Sequence, residues 1–175
     1  EMQVDGSVRF DLFAEISLLS RTGSWEDGTR FRRHRNTGPT WGERMPAERY
    51  VDIDGFRARC LCAGESGPPV VLLHGLGASA EIWRPNIGPL ASRHRVFAPD
   101  LPGFGRTGIP VWMDYSPAAY SRFVRDFMNA LGIGRAGLVG HSLGGGIALR
   151  VVLDEPRCVV RLVLASSAGL GSDVS

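Results

Sequence analysis

Four short apolar runs divide the chain after residue 65 into a repeating pattern. They are Val70–Leu73, Val96–Ala98, the run in "AGLVGHS" (136–142) and the run in "VVRLVLASS" (159–167). Apolar runs without polar alternation are typical of parallel strands that are covered on both faces. Upstream of them, "YVDIDGFRARCLCAG" predicts two shorter strands joined by a tight turn at Asp54-Gly55.

A segment between the second and third runs has the periodicity of a helix with one apolar face. Ser116 can cap this helix, Pro117 is tolerated in its first turn, and Gly132 can end it. A second helix is expected from about Leu143 to Asp154, where Pro156 stops it. The alternation of strands and helices predicts an α/β fold with a mostly parallel sheet, flanking helices and right-handed crossovers.

Residues 1–45 show no sustained period and are polar, with many glycines and arginines. We interpret them as a polar, disordered leader, and we expect the α/β domain to occupy residues 46–175. The basic cluster Arg30–Arg35 ("RFRRHR") could contact phosphates or an acidic partner, but a solvated leader is the favoured interpretation. An incorrectly assigned start would also produce such a segment.

Net charge, apolar runs and cysteine content limit the kinds of partner and site that we expect. A net charge of +2 over 175 residues gives no reason to expect a nucleic-acid partner. No apolar run approaches the roughly 20 residues of a membrane span, and the acidic N-terminus does not resemble a signal peptide, so we expect a cytoplasmic protein. The three cysteines, Cys60, Cys62 and Cys158, lack the partners of a zinc site and are expected to be free thiols.

Three glycine-containing motifs follow predicted strands directly. They are His74-Gly-Leu-Gly77, Asp100-Leu-Pro-Gly-Phe-Gly105 and Gly140-His-Ser-Leu-Gly144. The carboxyl ends of parallel strands form the edge at which open α/β sheets bind ligands. In the first motif, glycines let backbone N–H groups turn toward one point, where they can stabilise a developing negative oxygen. In the second, we expect Asp100 to cap its loop and not to act as an acid.

The third motif places Ser142 between an apolar strand and a helix. A serine on such a sharp turn exposes its hydroxyl above the sheet edge, and the helix N-terminus behind it favours negative charge. Bulk at the flanking glycines would clash within the turn. The context therefore predicts a nucleophile elbow, which a Gly-x-Ser-x-Gly pattern alone would not.

The series "VVLLHGLGASAEIW", "VFAPDLPGFG", "LVGHSLGGGIAL" and "LVLASSAGLG" resembles the α/β-hydrolase superfamily, in its esterase, lipase and carbon–carbon hydrolase group, from about Tyr50 to Gly171. The resemblance implies that Ser142 is the nucleophile. It implies that the N–H groups of Leu76 and Leu143 form the oxyanion hole. The supporting positions that it implies are His74, which orders the oxyanion loop, together with Gly75, Gly140 and Gly144. No metal or organic cofactor is implied.

The sequence departs from this family in its histidines. The family order is serine, then acid, then histidine, but the four histidines, His34, His74, His94 and His141, all precede Ser142. Of the later acids, Asp154, Glu155 and Asp173, only Asp173 follows the strand after the elbow. We therefore expect an α/β-hydrolase fold truncated before the cap and the last strands, which would be inactive by itself.

The sequence predicts a serine hydrolase of ester-type, small-molecule substrates, with the general base outside these residues. A non-catalytic pseudoenzyme or interaction module on the same half-fold is the alternative. An exposed sheet edge would also favour self-association. Four side chains, Trp83, Phe104, Trp112 and Met113, are candidates to line the mouth of the pocket, although packing is as common a role for them.

Overall fold

A computed structural model describes residues 46–53 and 55–169 of the chain. Three expectations from the sequence lie outside these residues: the leader 1–45 with its basic cluster, Asp54 of the hairpin turn, and Asp173 as a candidate acid. They stay predictions.

The described residues form six strands, three α-helices and two short 3-10 helices. The strands are β1 (Ala47–Ile53), β2 (Phe56–Ala63), β3 (Pro69–Leu73), β4 (Arg95–Pro99), β5 (Ala136–His141) and β6 (Val159–Ala165). The α-helices are α1 (Arg84–Ala91), α2 (Pro117–Ala130) and α3 (Leu143–Asp154), and the 3-10 helices are Ala80–Trp83 and Pro156–Cys158.

The strands form one sheet in the order β1-β2-β4-β3-β5-β6. The pairs β1–β2 and β2–β4 are antiparallel, whereas β4, β3, β5 and β6 run parallel to each other. This arrangement confirms the predicted α/β fold class. Within the described residues β1 and β6 are the outer strands, so the proposed self-association through a sheet edge has a surface available but stays a prediction.

Helices α2 and α3 pack together on one face of the sheet and bury the larger apolar cluster. The predicted cap of α2 is present, because the Ser116 hydroxyl accepts a hydrogen bond from the Ala119 N–H at 3.1 Å. Its predicted apolar face is buried against this cluster: Tyr120, Phe123, Val124, Phe127 and Met128 are buried, and Leu131 packs beside them.

The helix α1 was not predicted individually from the sequence. Its residues "RPNIGPLA" include two prolines and a glycine, which are poor helix formers. Only Ile87 and Ala91 are buried, together with Trp83 from the preceding 3-10 helix, in a smaller cluster on the opposite sheet face. Tertiary burial therefore outweighs a weak local preference here.

The strand order places three chain segments at one edge of the sheet. Strand β3 lies between β4 and β5, so the chain passes from β3 to one neighbour and later returns to the other. The residues that follow or end these strands, His74, Asp100 and Ser142, therefore share the edge where α/β sheets bind ligands. Among the described residues, no helix is long and apolar enough to cross a membrane.

Candidate active site

Ser142 occupies the turn between β5 and α3 in a backbone conformation that non-glycine residues rarely adopt. Its φ is 50° and its ψ is −116°. The Ser142 N–H donates to the Ala165 carbonyl at 3.1 Å, and the Ser142 carbonyl accepts from Gly145 at 2.9 Å and from Ala168 at 3.0 Å. Hydrogen bonds from α3 and from the loop after β6 thus hold a strained residue in place, as is common at functional sites.

The glycines on either side of Ser142 allow this turn to close. A Cβ atom at Gly140 would lie 2.6 Å from the Cα of Gly145, and one at Gly144 would lie 2.6 Å from the His74 carbonyl oxygen. Because these obstacles are backbone atoms, no side-chain rotation would relieve them. The small residues therefore let the first turn of α3 pack directly against β5 and the end of β3.

The loop after β3 passes close to the elbow. A Cβ atom at Gly75 would lie 3.0 Å from His141 Nδ1 and 3.1 Å from the Ser142 Cβ. The next residue, Leu76, is 75% exposed, and Leu143 is half-buried at the start of α3. The structure thus brings the two sequence motifs together around Ser142.

His74 is completely buried between two loops of this edge. Its Nε2 accepts a hydrogen bond from the Leu101 N–H at 2.9 Å, so Nδ1 carries the proton and donates to the Gly75 carbonyl at 2.8 Å. Burial lowers the pKa of His74, which agrees with the neutral ring that this hydrogen bonding requires. The Phe104 ring packs edge-on against it at 5.7 Å.

Asp100 is also completely buried, and its carboxylate accepts three hydrogen bonds. The donors are the Ala80 N–H at 2.6 Å, the Arg106 N–H at 2.8 Å and the Arg59 guanidinium at 3.1 Å. This carboxylate therefore fixes its own loop and joins it to the 3-10 helix that ends the His74 loop. The arrangement agrees with a loop-capping role.

The partner of Asp100 was missed by sequence reasoning. Arg59 on β2 is 1% exposed, and its guanidinium also donates to Glu48 at 2.9 Å and to Glu81 at 2.5 Å. Burial opposes its positive charge, but hydrogen bonds to Glu81, Asp100 and Glu48 together raise the pKa of Arg59. Arg84, and then Arg59, lower the pKa of Glu81 to about 2. No local pattern unites these residues, since they come from separate elements.

No histidine within the described residues is placed as the base for Ser142. His74 holds the loops as described above. His94 precedes β4, at the opposite end of the parallel strands, with its Nδ1 3.3 Å from the Leu90 carbonyl. His141 is the neighbour of Ser142 along the chain, and its Nδ1 is buried near Gly75 without a hydrogen-bond partner.

The acids at the end of α3 do not serve as partners for a base either. Asp154 accepts a hydrogen bond from the Ser121 hydroxyl at 2.7 Å and bonds to Arg150, one turn earlier, at 2.8 Å. Glu155 lies near Arg125 of α2. Both acids are at the end of α3 opposite to Ser142.

Two of the four side chains considered for the pocket mouth belong to the core instead. Trp83 is 5% exposed and packs with α1, and Met113 is 7% exposed in the larger cluster. A shallow groove beside α2 is lined by Trp112, whose ring meets Phe56 edge-on at 6.0 Å. This groove does not include Ser142 or the residues of the His74 loop.

Comparison with known proteins adds to this geometry. Residues 68–174 match the family model described as the α/β-hydrolase fold. A Mycobacterium tuberculosis (strain ATCC 25618 / H37Rv) protein of uncharacterized function is 40% identical over 143 residues, which cover 82% of this chain and 41% of that protein.

Two enzymes are also similar. A 2-hydroxy-6-oxo-6-(2'-aminophenyl)hexa-2,4-dienoic acid hydrolase from Metapseudomonas resinovorans is 42% identical over 128 residues, covering 70% of this chain and 43% of the enzyme. The structure of 2-hydroxy-6-oxo-6-phenylhexa-2,4-dienoate hydrolase from Rhodococcus sp. strain RHA1 matches with a TM-score of 0.67 at 32% identity, covering 73% of this chain and 48% of that one. The chain thus spans about two fifths of the length of these curated relatives.

Proposed function

The chain belongs to the α/β-hydrolase fold family, and from that premise we propose that Ser142 is the nucleophile of a serine hydrolase. The proposed substrates are small molecules with an ester-type acyl bond. The activity belongs to the protein that contains this chain together with a general base from outside the described residues.

The observation that carries this proposal is the backbone of Ser142. A φ of 50° at a serine is strained, and the residues around it are arranged to keep it so. Such a turn lifts the hydroxyl above the sheet edge, where a carbonyl carbon can approach it. Tyr115 and Ser166 also have a positive φ, but of the three only Ser142 lies between the end of a parallel strand and the start of a helix.

The oxyanion would be held by backbone N–H groups of Leu76 and Leu143. A Cβ atom at Gly75 would lie 3.1 Å from the Ser142 Cβ, so the loop that carries Leu76 runs close to the elbow. Leu143 begins α3, so its N–H belongs to the free donors of a helix N-terminus. His74 fixes the carbonyl of Gly75 and thereby positions this loop.

The reaction would proceed in two steps. The base takes the proton of the Ser142 hydroxyl as its oxygen attacks the carbonyl carbon, and it then protonates the leaving alkoxide. Water, activated by the same base, attacks the acyl-serine and releases the acid. This sequence uses side chains, backbone amides and water, and it requires no cofactor.

A second substrate class is favoured by the relatives. Several are named hydrolases of 2-hydroxy-6-oxo-hexadienoates, at 37–42% identity to this chain. A hydroxy-oxo-dienoic acid is therefore the second candidate substrate, with the same serine and oxyanion hole.

Hydrolysis of a short-chain aryl ester and of a hydroxy-oxo-dienoate by the complete protein tests the proposal. We expect Ser142→Ala to reduce the faster of the two activities by at least about a thousandfold, because the variant has lost the attacking atom. We expect the 175-residue chain alone to hydrolyse the aryl ester no faster than its own Ser142→Ala variant.

The matched control is Ser121→Ala, which removes a buried serine hydroxyl from α2 that bonds Asp154. This variant should keep its activity after correction for folded protein. Equal activity of the complete protein with and without the Ser142 hydroxyl would refute Ser142 as the nucleophile, and no turnover of either substrate by the parent protein would favour the non-catalytic alternative. Ser142-dependent turnover by the 175-residue chain would show that it contains a base.

A further inference from the structure

Two thiols of β2 take no part in the proposed reaction and contact each other. Side chains two residues apart on a strand point to the same face, and Cys60 and Cys62 both lie on the face covered by α2 and α3. Their sulfur atoms are 3.2 Å apart and share a hydrogen bond. The strand thus presents a preformed pair of thiols.

The surroundings of the two thiols differ. Cys60 is completely buried, whereas Cys62 is half-buried and therefore within reach of small solutes. Arg49 on β1 is directly opposite Cys60 and diagonal to Cys62, so its guanidinium belongs to the same face. Hydrogen bonding with Cys60, and then the charge of Arg49, lower the pKa of Cys62, while burial raises that of Cys60.

We propose that Cys62 is a peroxide-reactive thiol and Cys60 its resolving thiol, so that this pair forms an oxidative modification site on β2. A partly exposed thiol near a positive charge and beside a second thiol has the environment of a redox-sensitive cysteine. The chemical class of the reactant is a hydroperoxide.

The reaction balances in two steps. The Cys62 thiolate attacks one peroxide oxygen, the O–O bond breaks, and the leaving oxygen departs as water or an alcohol after taking up a proton. This step oxidises the Cys62 sulfur to a sulfenic acid and reduces the peroxide. The Cys60 sulfur then attacks the Cys62 sulfur, the S–O bond breaks, and hydroxide leaves as water with the Cys60 proton.

The product is expected to be easily reduced. Two residues along a strand span about 6.4–6.8 Å between Cα atoms, at the upper end of the separations that disulfides bridge.

A metal is a poorer match to the pair, because no cluster of three or more metal-ligating side chains occurs among residues 46–53 and 55–169.

The test is oxidation of the folded 175-residue chain by hydrogen peroxide, followed by blocking of free thiols and peptide mass analysis. Trypsin leaves Cys60 and Cys62 on one peptide, residues 60–93, because Pro85 protects the bond after Arg84. We expect this peptide to lose two hydrogen masses, and dithiothreitol to restore them. Cys158 is the internal control, since it is half-buried and burial raises its pKa. We expect Cys62 to react at least about ten times faster than Cys158.

Two variants keep the test independent of misfolding. In Cys62→Ser, Cys60 should resist the same peroxide dose. In Cys60→Ala, Cys62 should accumulate as a sulfenic acid that dimedone traps. In urea, which unfolds the chain, Cys62 and Cys158 should react with peroxide at equal rates. Equal rates for Cys62 and Cys158 in the folded chain, or a sulfenic acid at Cys62 that persists while Cys60 is present, would overturn the proposal.

Discussion

Two turns at the same edge of the sheet are held by opposite means. The turn after β5, at Ser142, is held by backbone hydrogen bonds and by glycines that leave no room for side chains. The loop after β4, at Asp100, is held by a buried carboxylate and the buried cation of Arg59. The strand β3, with His74 at its end, lies between the two and contacts both.

The two turns are therefore restrained by different interactions, backbone packing at Ser142 and hydrogen bonds to a buried carboxylate at Asp100. At Ser142, backbone hydrogen bonds and closely packed glycines fix the turn. At Asp100, a buried carboxylate joins two loops through the Ala80 and Arg106 N–H groups and the Arg59 guanidinium. The loop after β3 is restrained by both, because a Cβ atom at Gly75 would lie 3.1 Å from the Ser142 Cβ and the Ala80 N–H donates to Asp100.

The largest effect is expected from adding one methyl group to the glycine-held turn. In Gly140→Ala the new carbon would meet backbone atoms of Gly144 and Gly145, which have no room to move. We expect a loss of about 3 kcal/mol or more in the free energy of unfolding, seen as insoluble protein or as a lower midpoint in urea.

The matched control is Gly134→Ala in the loop before β5, where a Cβ would meet no atom within 4 Å. This variant should unfold at the midpoint of the parent protein or slightly above it. Parental stability in Gly140→Ala would contradict the idea that glycines are required at this turn.

Removing the buried charge of Asp100 is expected to lower the free energy of unfolding by a smaller amount. Asp100→Asn keeps the shape of the side chain but removes the most buried of the three carboxylate charges that pair with Arg59. Glu48 and Glu81 would still accept from the guanidinium, so we expect the free energy of unfolding to fall by about 2 kcal/mol. Asp126→Asn, at a half-exposed pair with Arg125, should change it by less than about 0.5 kcal/mol. Equal effects of the two substitutions, measured by urea unfolding, would mean that burial of the Arg59 network contributes nothing.

The contrast also explains how much the sequence could predict. The elbow is encoded within five consecutive residues, Gly140 to Gly144, between an apolar strand and a helix that Pro156 follows. Local patterns of this kind allowed us to predict the strands, the helices α2 and α3, and the motifs around Ser142. The helix α1 has no such pattern, since prolines interrupt it and only two of its side chains are buried.

The ionic network could not be predicted because its members are far apart in the chain. Arg59 joins residues 48, 81 and 100, which come together only when β1, β2 and β4 pair and the 3-10 helix Ala80–Trp83 packs beside β2 and β4. An arginine in a strand is usually solvated. The burial of Trp83 and Met113 could not be predicted either, because residues outside strands and α-helices follow no periodic pattern and acquire their neighbours only from the tertiary fold.

The smallest expected effect concerns His74, which links the two turns. Its folded pKa lies below its ordinary value of about 6.5, mainly through burial. The unfolded chain therefore takes up a proton at this position before the folded chain does as the pH falls. The contribution of His74 to stability is complete above pH 6.5 and decreases as the pH falls toward the folded pKa, by at most about 1.4 kcal/mol per pH unit.

Urea unfolding at pH 7.5 and pH 5.5 measures this linkage. His74→Gln retains a carbonyl that can accept from the Leu101 N–H but has no proton to gain, so its stability should vary less with pH than that of the parent protein. Gly134→Ala, which alters no titrating group, is the control and should keep the parental pH dependence. If both variants lost the same amount of pH dependence, the neutral His74 would not be what joins the glycine-held turn to the ionic one.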